Sequence, residues 1–160
     1  MDDILIAPVT QADVPLLDAA LQQLAADLGD HYTADPGTLA AAVCGPGANC
    51  LALLAIRDGQ AMGVVLAAPV FSTMRGGTGL FVSDLWVAQS ARGEGLSRRL
   101  LARTLQEGAR RNAAQFVKLA VYHDNPKARA AYDRLGFAAL TGETNMILTG
   151  KPLETLKETP

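Results

Sequence analysis

The chain has 160 residues, and its 14 Lys and Arg against 16 Asp and Glu give a formal net charge of −2. An apolar fraction of 49% with 19% charged residues is typical of a globular protein and excludes a disordered chain. We expect one domain over residues 1–150 and a polar, frayed C-terminal tail at 151–160. The acidic balance and an aromatic content of 5% argue against nucleic acid as a partner.

Apolar runs and cysteines indicate the compartment. The longest apolar runs, at 50–56 and 61–70, are much shorter than the roughly 20 residues that span a bilayer. The start Met1-Asp2-Asp3 lacks the positive region of a signal peptide. Two cysteines, Cys44 and Cys50, and no Cys/His/Asp cluster with zinc spacing predict neither a disulfide framework nor a metal site. We therefore expect a cytoplasmic protein without membrane contact.

The order of predicted elements is that of a mixed α/β (α+β) domain with helices on both faces of a central sheet. Helices are predicted where apolar residues recur at steps of three and four between capping residues, such as Thr10 and Gly29 around the first one. Asp58-Gly59 between two apolar runs is a hairpin signal. The predicted elements are strand Ile4–Val9, helices Val14–Leu28 and Pro36–Val43, strands Cys50–Ile56, Ala61–Phe71 and Leu80–Val87, helix Leu96–Arg111, strand Phe116–Val121, helix Pro126–Leu135, and a last hairpin of Phe137–Leu140 with Asn145–Leu148.

The segment most informative about chemistry joins the strand Leu80–Val87 to the helix that begins at Leu96. Gly93 and Gly95 let an anion approach the backbone closely, and a helix start exposes unpaired N–H groups. The surrounding arginines are Arg92, Arg98, Arg99 and Arg103. Neither the dinucleotide-binding G-x-G-x-x-G nor the Gly-Lys-Ser/Thr of a P-loop is present. We expect a diphosphate to bind here, the alternative being a plain strand-to-helix turn with solubilising arginines.

A second group of residues lies on the predicted helix Pro126–Leu135. Ala128 and Tyr132 are one turn apart and therefore share a face, where small residues leave room for a ligand beside the phenol. Taken alone, such a tyrosine is more often a core residue whose hydroxyl is bonded to the backbone.

Together the two patterns resemble the GNAT superfamily of acetyl-CoA-dependent N-acetyltransferases. They read Gln89-x-x-Arg92-Gly93-x-Gly95-Leu96 and Asn125-x-x-Ala128-x-x-x-Tyr132-x-x-x-Gly136-Phe137. The resemblance implies the GNAT fold, a mixed and mostly antiparallel sheet that splays between strands 4 and 5. It also implies acetyl-CoA as the co-substrate and a small-molecule amine as the acceptor. Homodimers are common in this superfamily, and one is expected here.

The resemblance further implies roles for individual residues. The pantetheine arm of acetyl-CoA would pair with backbone beside the splay, and the loop after it would cradle the diphosphate. Tyr132 would be the general acid that protonates the departing thiolate. Asp84 could assist as the general base, the alternative being a structural role at the strand end. The implied cofactor-binding residues are Leu85, Trp86, Val87, Arg92, Gly93, Glu94, Gly95, Leu96, Ser97, Asn125 and Arg129.

A narrower resemblance concerns the acceptor. Phe71-Ser72-Thr73 and the strand ending Asp84-Leu85-Trp86-Val87 are similar to the diamine (spermidine/spermine-type) acetyltransferases. That branch commonly has Glu before the Asp, where this chain has Ser83, and aromatic residues near the last strand, where this chain has Thr144-Asn145-Met146.

The first fifty residues contain seven aspartates and no Lys or Arg. We expect Asp27, Asp30 and Asp35 to attract a small cationic amine, the alternative being that they only cap helices and solvate the surface. Two other functions stay open at this point. One is a protein N-terminal or lysine acetyltransferase, and the other is a non-catalytic, regulatory acetyl-CoA-binding module.

Overall fold

The computed structural model describes residues 3–160 and contains two compact units, one ending at Tyr122 and the other beginning at His123. The first unit holds a five-stranded sheet in the order β1-β2-β3-β4-β5. Its elements are β1 (Leu5–Pro8), α1 (Val14–Leu28), α2 (Pro36–Val43), β2 (Leu51–Arg57), β3 (Gln60–Ser72), β4 (Gly77–Val87), α3 (Leu96–Arg110) and β5 (Val117–Leu119). The second unit contains α4 (Pro126–Leu135) and α5 (Gly150–Lys157). The division into one domain at 1–150 and a tail stays a prediction.

Local capping chemistry sets the helix ends of the first unit. The Thr10 N–H donates to Asp13 Oδ2 at 2.9 Å, which starts a short 3₁₀ turn before α1. Gly29 ends α1 with φ of 75°, the left-handed conformation that a helix C-cap commonly adopts. The Thr38 N–H donates to Asp35 Oδ1 at 2.9 Å and begins α2. The observed bounds of both helices are the predicted ones.

Helices cover both faces of the sheet, as the sequence predicted. On one face, Leu17 and Leu21 of α1 pack with Leu54, Val64 and Trp86 of the strands in one buried cluster. On the other face α3 packs closely against β3 at Gly63. A Cβ built there would lie 2.9 Å from the Leu100 Cδ1. The main strands are therefore buried on both sides, which explains their long apolar runs.

A β-bulge in β4 changes which side chains face each helix. Val82 pairs with Ala67 and Asp84 pairs with Leu66, so Ser83 has no opposite residue on β3. Because side chains alternate along a strand, one extra residue reverses the phase of everything after it. Leu80, before the bulge, therefore contacts α3 at Gly108, whereas Trp86, six residues later, packs in the α1 cluster.

The sheet opens between β4 and β5. The two strands run parallel, but they pair only from Leu80 with Val117 to Val82 with Leu119. Within residues 3–160, β4 has no strand partner on this side from Ser83 onward. The splay implied by the superfamily resemblance is thus present, and it begins at the bulge.

The second unit departs from the sequence prediction in two places. No strand forms at Phe137–Leu140 or Asn145–Leu148 among the described residues, so the predicted hairpin is wrong. A strand is stabilised by burying one face against a partner, but the Met146 and Ile147 side chains are 91% and 88% exposed. Most of the segment predicted as a polar tail is helical, because 150–157 forms α5. A proline is compatible with its first turn, and the Lys157 Nζ lies 2.9 Å from Glu154 Oε1.

Candidate functional site

The β4–α3 connection has the geometry that the sequence predicted for an anion site. After β4, a 3₁₀ turn at Gln89–Ala91 is anchored by the fully buried Ala91. Gly93 and Gly95 follow with φ of 88° and 72°, a region that other residues rarely adopt. A Cβ added at either glycine would meet no protein atom within 4 Å. Open space therefore borders the backbone of both glycines.

The N–H groups of this connection are available to a ligand. Within residues 3–160, none of the N–H groups of Gly93, Glu94 and Gly95 makes a hydrogen bond of ordinary geometry. The first N–H groups of α3, which starts at Leu96, have no intrahelical acceptor, and they carry the positive end of the helix dipole. Such a row of donors beside open space fits a diphosphate group. The Leu96 side chain is buried, and Glu94 Oε2 lies 3.9 Å from Arg57 Nη1. Both side chains are thus engaged elsewhere, and each residue has its backbone N–H to offer to this site.

The backbone of β4 offers further donors and acceptors at the splay. The Ala88 N–H donates to Met62 O on β3 at 2.9 Å. Because hydrogen-bonded residues alternate along an antiparallel pair, Trp86 bonds to β3 as well, while the N–H and C=O groups of Leu85 and Val87 turn to the open side. The Leu85 backbone and the Val87 N–H therefore face the open edge, whereas Val87 O accepts from Arg92 Nε at 3.0 Å and the Trp86 backbone bonds to β3.

Asp27 of α1 joins three side chains next to this connection. Its Oδ2 accepts from Trp86 Nε1 at 3.0 Å and from Arg92 Nη2 at 2.8 Å, and its Oδ1 accepts from Gln23 Nε2 at 2.9 Å. The hydrogen bonds from Trp86 and Gln23, followed by that from Arg92, lower the pKa of the Asp27 carboxyl. An open cavity of about 860 Å³ lies here, lined by Gln23, Asp27, Trp86, Gln89, Ser90 and Arg92.

The structure gives the three predicted amine-binding aspartates other partners. Asp27 is bonded as described, Asp30 Oδ2 accepts from the Tyr122 hydroxyl at 2.8 Å, and Asp35 caps α2. These three aspartates therefore do not form a group of free carboxylates that could bind an ammonium ion. For Asp35, the helix-capping alternative is the one observed.

A different acidic group surrounds Tyr32, which follows α1. The Tyr32 hydroxyl donates to Asp18 Oδ1 at 2.7 Å. Burial first, and then the hydrogen bond and negative charges of Asp18, Asp84 and Asp35, raise the pKa of Tyr32. Asp84 itself is half-buried and accepts from the Ser83 hydroxyl at 2.7 Å. The sequence alone does not predict this group, because Tyr32 and Asp18 are 14 residues apart and belong to no motif.

The remaining predicted residues lie on α4 in the second unit. Asn125 caps this helix by accepting from the Ala128 N–H at 3.1 Å, and Arg129 Nε donates to Asp133 Oδ1 at 2.9 Å. The Tyr132 ring packs edge-on against Phe137, with 5.6 Å between ring centres. Burial raises the pKa of Tyr132, and its hydroxyl has no hydrogen-bond partner within residues 3–160. The backbone-bonded hydroxyl of the core alternative is therefore not observed.

The comparisons with known proteins agree with this geometry. The chain belongs to the acetyltransferase (GNAT) family, whose model matches residues 17–137. It is 32% identical over 90 residues to the uncharacterised N-acetyltransferase YhfO of Bacillus subtilis (strain 168). The aligned segment makes up 56% of this chain and 60% of that protein. It is 35% identical over 69 residues to N-alpha-acetyltransferase 40 of Saccharomyces cerevisiae (strain ATCC 204508 / S288c). Here the aligned segment makes up 39% of this chain and 24% of that protein.

Solved structures share the fold at low sequence identity. An aminoglycoside acetyltransferase from an uncultured soil metagenomic sample, in complex with sisomicin, superposes with a TM-score of 0.77 at 14% identity, covering 92% of this chain and 97% of that one.

The helices within residues 3–160 were also compared with the length and hydropathy that a bilayer requires. None of them could span a membrane.

Proposed function

We propose that this protein is an acetyl-CoA-dependent N-acetyltransferase that acts on a primary amine. The observation that carries the proposal is a row of open backbone groups in two parts. One part is the open edge of β4 at Leu85 and Val87, and the other runs from Gly93 to the start of α3. Between them, the N–H groups of Ala88, Ala91 and Arg92 are bonded within the protein. Such a row suits a ligand with an extended amide arm and a diphosphate, and this is the shape of acetyl-CoA.

Each part of the row has a proposed role. The backbone of Leu85 and Val87 pairs with the pantetheine arm, and the backbone of Arg92–Ser97 binds the diphosphate. Asn125 and Arg129 are retained as cofactor-binding residues on the family resemblance alone. When bound, acetyl-CoA supplies an acetyl thioester that a neutral amine can attack.

We infer direct transfer, because neither cysteine is prepared as a nucleophile. Burial, and then the negative charge of Asp84, raise the pKa of the Cys50 thiol, so Cys50 stays protonated. The Cys44 Sγ lies 3.9 Å from Val9 O, a weak contact with a backbone carbonyl. The amine nitrogen would form its bond to the acetyl carbon as the carbon–sulfur bond breaks, with no acyl-enzyme in between.

Two protons must move in this reaction. The acceptor ammonium must lose one, and we propose Asp84, directly or through water, as the group that takes it. The departing thiolate must gain one, and we propose Tyr132 as its donor. Burial raises the pKa of Tyr132, so the phenol carries a proton at neutral pH that it could give to the thiolate.

The acceptor that we propose is a small cationic amine. Asp18, Asp84 and Asp35 together place negative charge around Tyr32, which attracts cations and disfavours anionic acceptors. An aminoglycoside acetyltransferase among the fold neighbours fits this substrate class. The similarity to a yeast N-alpha-acetyltransferase favours a protein N-terminus as the second candidate. A cytoplasmic location stays a prediction from the sequence composition, and a homodimer stays a prediction from the family resemblance.

The test is release of free CoA thiol from acetyl-CoA with a panel of acceptors. Polyamines and aminoglycosides should react, whereas anionic amines should not, and the rate should fall as salt screens the aspartates. A peptide with a free N-terminus separates the second candidate. If acetyl-CoA raises the melting temperature but no acceptor releases thiol, the protein is a non-catalytic binding module. An unchanged melting temperature with saturating acetyl-CoA removes the proposal.

A further inference from the structure

Asp27 is the centre of a contact network that holds the β4–α3 connection from outside it. The carboxylate lies on α1, 59 residues before Trp86 and 65 before Arg92 in sequence, and it bonds to both side chains. Trp86 belongs to β4, and Arg92 stands directly before the glycine connection. One carboxylate therefore ties a helix to a strand and to the segment that follows it.

The Arg92 side chain closes this network into a ring. Its Nε donates to Val87 O at 3.0 Å while its Nη2 reaches Asp27 at 2.8 Å. Arg92 thus spans the 3₁₀ turn at Gln89–Ala91 and fixes the distance between the end of β4 and the start of the glycine connection. Two donors of a planar guanidinium are used, and this geometry is one that a lysine cannot reproduce.

We propose that Asp27 is the positioning residue for the diphosphate-binding connection. By holding Arg92 and Trp86, Asp27 fixes the Gly93–Gly95 backbone in a position where the backbone N–H groups can bind a diphosphate. Binding then does not carry the entropy cost of ordering these N–H groups. This inference rests on the proposed binding of acetyl-CoA. It assigns Asp27 a part in donor recognition instead of the amine binding that its charge suggested.

The charges alone make the opposite prediction. If the Arg92 guanidinium were itself the diphosphate contact, Asp27 would compete with the ligand for it, and removing the carboxylate would tighten binding. Arg92 is instead engaged through both Nε and Nη2, and the backbone donors of the connection and of α3 remain free. The sign of the effect of Asp27 on CoA affinity therefore decides between positioning and competition.

The experiment compares two ligands in the Asp27→Asn variant. CoA carries the diphosphate, and pantetheine is the same thiol arm without the nucleotide. Trp86 is the only tryptophan of the chain, so its fluorescence reports both titrations. Loss of a hydrogen bond to a charged group predicts about tenfold weaker CoA binding, with pantetheine binding within about twofold of the wild type, because its contacts are on β4. Loss of order throughout the protein would weaken both ligands alike.

Matched variants separate positioning from charge and from folding. Asp58→Asn removes the same charge in the exposed β2–β3 turn, where φ of 53° suits asparagine, so its CoA affinity should equal that of the wild type. If Asp27→Asn does not fold, Arg92→Lys tests the same ring and should show the same selective loss of CoA affinity. Equal loss for both ligands, unchanged CoA affinity or tighter CoA binding in Asp27→Asn would overturn the inference. A wild-type protein that binds neither ligand would refute the proposed function itself.

Discussion

A methyl group at Gly95 should separate backbone strain from ligand exclusion. Gly95 has φ of 72°, and a Cβ there would contact no protein atom within 4 Å. Gly95→Ala therefore costs only the strain of a left-handed residue, about 1–2 kcal/mol. For a chain of this size the melting temperature should fall by about 2–8 °C. The methyl group would, however, occupy the open space where a diphosphate approaches the backbone. CoA affinity should fall more than about tenfold, because charge-assisted hydrogen bonds contribute roughly 1.5–3 kcal/mol each.

Gly76 supplies the control for this measurement. It lies in the turn before β4 with φ of 75°, and a Cβ there would also meet nothing within 4 Å. Gly76→Ala should thus lose similar stability and keep full CoA affinity. The two variants are compared by thermal unfolding without ligand and by titration with CoA. If both bind CoA equally well, the glycine connection is not the diphosphate site and the reasoning fails.

Three further predictions concern single side chains. Tyr132→Phe should keep CoA affinity and lose roughly 10²–10⁴-fold in kcat if the phenol is the general acid. A near wild-type kcat, measured where chemistry is rate-limiting, would show that Tyr132 only packs against its neighbours. Cys50→Ala should keep kcat within about threefold, since a neutral thiol is not a nucleophile, and trapping of an acetylated Cys50 after mixing with acetyl-CoA would contradict direct transfer. The lowered pKa of Asp27 means that its stabilisation is complete above about pH 4, the pKa of an unfolded aspartate, and disappears as pH falls through the lower folded pKa. As the pH falls below about 4, the wild type should therefore lose more stability than Asp27→Asn in urea unfolding, and parallel losses would show that Asp27 is not ionised in its network.

Local sequence signals predicted most of the helices and strands. Helix α2 runs over Pro36–Val43 and α4 over Pro126–Leu135, both as predicted. Each has proline at its first position and a side-chain cap before it, so its start is encoded in adjacent residues. The hairpin predicted at the end of the chain failed for the converse reason. A strand depends on what pairs with it and what buries its face, and the segment itself does not contain that information.

The same distinction applies to the candidate site. The glycine connection was predicted from contiguous residues, and in the structure it lies at those same residues. The partners of Asp27 were not predicted, because they lie 59 and 65 residues away and no periodicity links them. Asp18 and Tyr32 were missed likewise, since their proximity to Asp84 follows from the packing of α1 against the sheet.

The bulge at Ser83 decides where β4 can change its length. Deleting Ser83 would make Val82 and Asp84 consecutive opposite Ala67 and Leu66, so the ladder would become regular and Trp86 would still face α1. Deleting Leu85, beyond the bulge, would instead turn Trp86 towards α3 and break its contact with Asp27. An insertion in the exposed turn at 73–76 would leave the phase of the strand intact. The chain can therefore change length at the bulge or before β4, and not between the bulge and the glycine connection, a constraint that no single substitution would reveal.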